Sequence, residues 1–90
     1  MQVKERNKTM DYEQIFDKVT EIISEQFDID REKLRDTTDI LNDLGVDSLD
    51  VVELAMNIEE EFGIPQIGED DIRSIVTVSD LVNYISKALG

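Results

Sequence analysis

The stretch of this sequence whose residue types and spacing could support chemistry is Gly45-Val46-Asp47-Ser48-Leu49-Asp50. Ser48 offers a hydroxyl. Histidine and cysteine are both absent, which removes the commonest general base, the commonest metal ligand and any thiolate. No Lys stands beside Ser48, and the G-x-S-x-G elbow of the hydrolases is missing. A serine in this setting cannot be activated from within the chain. Any chemistry on it must be supplied by another protein, which makes it a candidate modification site. A serine at a helix start is usually a cap, but Asp47 already suits that role. Asp50, at the third helical position, can answer it across a capping box. Both carboxylates also favour the positive end of the helix dipole. Ser48 is left free at the first helical position.

The elements that must hold this serine read as all helical. Asp11 and Gln14 form a capping box, and Ile15, Val19, Ile22, Ile23 and Phe27 recur at helical spacing, so a first helix is expected over about 11–27. Residues 28–46 are a long connection in which only Arg31-Glu32-Lys33-Leu34 looks locally helical. Leu34, Ile40, Leu41 and Leu44 are expected to pin it to the core, and Gly45 ends it. The second helix is expected over about 47–62, stopped by Gly63 and Pro65. A short helical turn follows over 69–75. Thr77 and Asp80 form a further capping box before Val78, Leu81, Val82, Ile85 and Leu89, predicting a last helix over about 77–89. The expected fold is a small all-α bundle of three longer helices plus one short helix, with a long loop between helices one and two.

The 90 residues suffice for one domain. Charge divides them unevenly. Residues 1–10 carry Lys4, Arg6 and Lys8 against Glu5 and show no apolar period, so they read as a flexible extension, with the domain proper at 11–90. Between Arg35 and Arg73 lie twelve acids and no base, and the chain as a whole carries a net charge of −13. Nucleic acid and anionic membranes need cationic protein surface and do not fit as main partners. Proteins with basic patches do. No apolar run approaches the roughly 20 residues that span a bilayer, and no signal peptide is visible. The expectation is a cytoplasmic monomer.

Helix two presents two apolar stripes when laid out at about 100° per residue. Val51, Leu54, Ala55, Ile58 and Phe62 share one side and read as core. Leu49, Val52 and Met56 fall on the other, flanked by Glu53, Glu59 and Glu60. One core cannot readily bury both. The second stripe has the apolar centre and polar rim of a docking surface, although scattered surface apolar residues are common in any protein.

The run Asp43-Leu44-Gly45-Val46-Asp47-Ser48-Leu49-Asp50, continued by 51–63, closely resembles the bacterial acyl carrier protein family. The resemblance extends over about residues 12–89. It includes Ile22–Asp30 and Ile75–Ile85, and its D-S-L motif opening an acidic helix is highly specific. It implies that Ser48 carries 4′-phosphopantetheine, transferred from coenzyme A by a holo-carrier synthase (a phosphopantetheinyl transferase). The arm's thiol would hold acyl chains as thioesters, so a chain without Cys could serve thiol chemistry. The resemblance further implies that Asp47, Leu49, Asp50, Val52, Glu53, Met56, Glu59 and Glu60 face basic patches of acyltransferases, ketosynthases and other acyl-processing enzymes. The sequence departs from the family pattern at Gly68, where Pro is usual, and at Ile72, where a small residue is usual. Gly63–Gln66 is one residue longer than expected. This region lines the mouth of the acyl pocket in the family, so the resemblance implies a carrier for fatty-acid biosynthesis, while a specialised carrier for polyketide, lipid A or other pathways would look much the same.

Other readings carry less. D-alanyl and peptidyl carriers share the fold and arm but usually lack D-S-L-D with so acidic a helix. Asp28-Ile29-Asp30-Arg31-Glu32 starts like a calcium loop, but Lys33 stands where Gly is required and Asp39 where Glu is expected. An acidic helical interaction or cation-binding domain would leave Ser48 unmodified. With no His, Cys or phosphate loop, the chain is read as a protein that enzymes modify and use, not as an enzyme.

Overall fold

A computed structural model describes residues 11–90. The segment expected as an extension, 1–10, lies outside the described residues. Among the described residues five α-helices follow one another: α1 (Tyr12–Phe27), α2 (Ile40–Leu44), α3 (Ser48–Phe62), α4 (Glu69–Ser74) and α5 (Val78–Leu89), with one 3₁₀ turn at Arg31–Lys33. The expected all-helical bundle is correct, and so are its three longer helices. There are two short helices instead of one, because Ile40–Leu44 winds into a turn of its own.

Each longer helix starts where its sequence offers a reciprocal cap. Asp11 with Gln14, Asp47 with Asp50, and Thr77 with Asp80 all close as capping boxes. Each box satisfies backbone donors that the first helical turn leaves unpaired. α2 and α3 end at Gly45 and Gly63, both in the left-handed region at φ 68° and 65°, where a side chain would be strained.

Periodic apolar faces then bring the helices together. Ile15, Val19, Ile22 and Ile23 of α1 are buried against Val78, Leu81, Val82 and Ile85 of α5 and Leu54, Ala55 and Ile58 of α3. Phe27, Val51, Phe62 and Leu89 are half-buried at the edge of this core.

The long connection is fastened in a way its sequence does not announce. Leu34 and Ile40 are buried as expected, but Leu41 is exposed. Backbone hydrogen bonds do most of the fastening: Val78 N–H donates to the Thr38 carbonyl at 3.0 Å, Ile40 N–H to Val76 at 2.9 Å and Ser79 N–H to Asp36 at 3.0 Å. A single bridge, Asp39 with Thr77, forms between them. The connection therefore lies along the entry to α5, and α2 is carried to the N-terminal end of α3. Among the described residues no helix is long and apolar enough to cross a membrane.

Candidate functional site

Ser48 is the first residue of α3 and is exposed. Its position is set from both sides. The Asp50 N–H donates to Asp47 Oδ1 at 3.0 Å, and the Asp47 N–H donates to Asp50 Oδ2 at 3.2 Å. The Val51 N–H is taken by the Asp47 carbonyl at 3.2 Å. Helix geometry leaves the Ser48 and Leu49 N–H groups pointing out of the helix end, beside the serine hydroxyl. Asp50 is tied back to α1 in turn: Gln26 Nε2 donates to the Asp50 carbonyl at 3.4 Å, and Asn57 Nδ2 to Gln26 Oε1 at 2.6 Å.

Beside Ser48 a cleft of about 650 Å³ opens between α2, α3 and α4. Val51 and Val52 of α3, Ile40 and Leu41 of α2, and Ile72 and Ile75 at α4 give it an apolar lining. Asp39, Glu69 and Arg73 stand at its polar edge. Backbone and side-chain hydrogen bonds from Asn42 hold the Asp39 carboxyl below its ordinary value of 3.8, so it is charged at neutral pH. Below the cleft lies a small apolar void of about 10 Å³ that shares Ile40, Val51, Ile72 and Ile75 with it. Its far side is Leu54, Ala55, Ile67 and Leu81.

The two stripes of α3 part as the sequence indicates. Leu54, Ala55 and Ile58 are buried, while Leu49, Val52 and Met56 are 74%, 40% and 58% exposed. Asp47, Glu53 and Glu60 are exposed around them, and Asp50 is partly covered by its capping bonds. Glu59 departs from this picture. It is half-buried and turned toward the loop after α3, where its Oε2 accepts the Ile67 N–H at 2.8 Å. The structure also adds two exposed apolar residues at the cleft mouth, Leu41 and Val76. The sequence reading put Leu41 with the core and did not single out Val76. Both sit outside the long helices, where no period marks a face.

The family model for the phosphopantetheine attachment site matches residues 17–85. That span contains Ser48 and every residue of the cleft. The chain belongs to the acyl carrier protein family. It is 45% identical over 78 residues to the acyl carrier protein of Thermotoga maritima, covering 87% of this chain and 95% of the relative. It is 38% identical over 81 residues to that of Lactobacillus acidophilus, covering 90% and 100%. The solved acyl carrier protein from Enterococcus faecalis is similar in fold, with a TM-score of 0.73 at 38% identity over 88% of this chain and 99% of that one.

Like its family, this acyl carrier protein is a carrier and not an enzyme: it bears acyl groups on 4′-phosphopantetheine and works with enzymes of fatty-acid biosynthesis. The residues present fit that group, since an exposed hydroxyl, two outward N–H groups at a helix N-terminus and an apolar-lined cleft meet at one point. These findings favour neither a D-alanyl or peptidyl carrier nor an acidic interaction or cation-binding domain.

Proposed function

We propose that Ser48 bears the 4′-phosphopantetheine arm, within a carrier domain formed by residues 11–90. The observation that carries this is the meeting of the exposed Ser48 hydroxyl with the cleft at the start of α3. When attached, the group supplies a thiol that holds acyl chains as thioesters. The protein's own residues do the rest. Asp47 and Asp50 lock the first turn of α3, on which Ser48 is exposed. The Ser48 and Leu49 N–H groups and the helix dipole favour a phosphodiester there. The apolar walls from Ile40, Val51, Ile72 and Ile75 offer an acyl chain a place out of water.

The docking face is Asp47, Leu49, Asp50, Val52, Glu53, Met56 and Glu60. Its exposed apolar stripe and acidic surround support docking by basic patches of a holo-carrier synthase, acyltransferases and ketosynthases. The carrier is proposed to act as a monomer in the cytoplasm. Incubation of the apo protein with coenzyme A and a broad-specificity holo-carrier synthase tests the attachment site. Intact mass should show one added arm, absent in Ser48→Ala. An arm that persists in Ser48→Ala, placed on Ser24, Ser74, Ser79 or Ser86, overturns the assignment.

A further inference from the structure

We infer that Glu59 is a positioning residue that holds α4 in place as a wall of the Ser48 cleft, and that it is not one of the docking acids. The inference rests on the reading of Ser48 given above for its functional meaning, but its geometry stands alone.

Glu59, Glu60 and Glu61 are consecutive on α3, and at about 100° per residue they point in three directions. Glu59 turns to the loop. Its Oε2 accepts the Ile67 N–H at 2.8 Å, and its carbonyl accepts the Ile64 N–H at 3.2 Å. One residue thus grips both ends of the segment that leads to α4, and both isoleucines are buried.

α4 is anchored to the core by apolar packing of Ile72 and of Ile75 at its end, and by few polar bonds. It has six residues, none buried, and its N-cap, Gly68, makes no side-chain cap bond. Among the described residues, two side-chain hydrogen bonds reach the 64–74 segment from other elements. One is from Glu59. The other is from the Tyr84 hydroxyl to Asp71 Oδ2 at 3.3 Å. Yet α4 supplies Glu69, Ile72 and Arg73 to the cleft, and Ile67 and Ile72 border the void beneath it. That void, about 10 Å³, is near the size of a single water-sized sphere. The room available under the cleft therefore depends on where α4 stands, and Glu59 helps to set that by fixing Ile67 at the entry to α4.

A docking acid needs its charge. A strut needs its reach and an acceptor oxygen. Two substitutions separate these. Glu59→Gln keeps the length and an acceptor but loses the charge. Glu59→Asp keeps the charge but is one methylene too short. The test reads amide hydrogen exchange at Ile67 in the apo proteins and hydroxylamine cleavage of an octanoyl thioester on the loaded ones. In Glu59→Asp, Ile67 exchange should accelerate about ten- to a hundredfold, as for loss of one hydrogen bond to a charged group, and the thioester should be cleaved faster. Glu59→Gln should recover most of the protection in both measurements. Wild-type behaviour in Glu59→Asp, whatever Glu59→Gln does, overturns the proposal. Exchange at Ile67 needs no arm, so a failure of the Ser48 assignment would show instead as a missing arm in the intact mass.

Discussion

Met56 and Ile58 stand two positions apart on α3 and face opposite ways, the first 58% exposed and the second fully buried. Two residues along a helix are separated by about 200° of rotation, so one short segment serves the core and the outer surface together. Their truncations should therefore differ in kind. Ile58→Ala should cost about 2–5 kcal/mol, a large share of a small domain's stability. Met56→Ala should leave the melting curve nearly unchanged while slowing transfer by a partner acyltransferase. Thermal melts and transfer rates on both variants check this, and equal destabilisation would return Met56 to the core.

Glu53 lies exposed beside the same stripe. Glu53→Lys should weaken transfer by a partner that docks through a basic patch, because it sets like charges face to face. The defect should shrink as salt rises, since exposed charges are screened over about 8–10 Å at moderate ionic strength. The Met56→Ala defect should persist, because apolar contact is not screened. Transfer rates at two salt concentrations distinguish the two.

Acidic self-repulsion should weaken the fold itself. Residues 11–90 hold 21 acids against 6 bases. Lys18–Glu61 at 3.0 Å, Arg31–Asp17 at 3.9 Å and the pairs of Arg73 with Glu69 and Asp70 are all on the surface, where each contributes little. Added salt at neutral pH should raise the melting temperature, by about 4–8 °C for each kcal/mol of repulsion removed in a domain of this size. A melting temperature that falls with salt would contradict this balance.

Acid should act through Asp80. Its Oδ2 accepts the Thr77 and Val76 N–H groups at 3.1 and 3.0 Å, and these bonds hold its carboxyl below the ordinary value of 3.8. A lowered folded-state pKa gives stability that is present above the unfolded value and lost as the pH falls through the folded one. Asp80→Ala should therefore be less stable than the wild type at pH 7. The gap between their melting temperatures should narrow as the pH drops below about 4. A gap that stays constant down to strongly acid pH would show that the carboxylate's charge is not what holds the cap.

The long helices and the serine were legible because their signals are local. A capping box spans four residues, and a buried face repeats within two turns. Asp11 with Gln14, Asp47 with Asp50, and Thr77 with Asp80 could each be read without knowing what lay across the fold, and each closes. The two stripes of α3 follow from helical geometry alone. The short α2 turn and the exposure of Leu41 were not legible. They depend on backbone bonds between 36–40 and 76–79, whose partners are some forty residues apart and leave no periodic mark.

By itself, then, the sequence determined three longer helices and a short helical turn, a serine left free between two capping acids, and an outer acidic face on α3. All of these come from spacing along one helix. Tertiary structure decided which surfaces meet Ser48. The cleft exists because α2, which the sequence did not mark, and α4, which it marked only as a short helical turn, are set on either side of α3. Tertiary structure also sorted the acids. Glu59 and Glu60 are chemically alike and adjacent, yet Glu60 is exposed while Glu59 reaches the Ile67 N–H. That difference is created only when the loop after α3 folds back within hydrogen-bonding distance of one carboxylate and not the other.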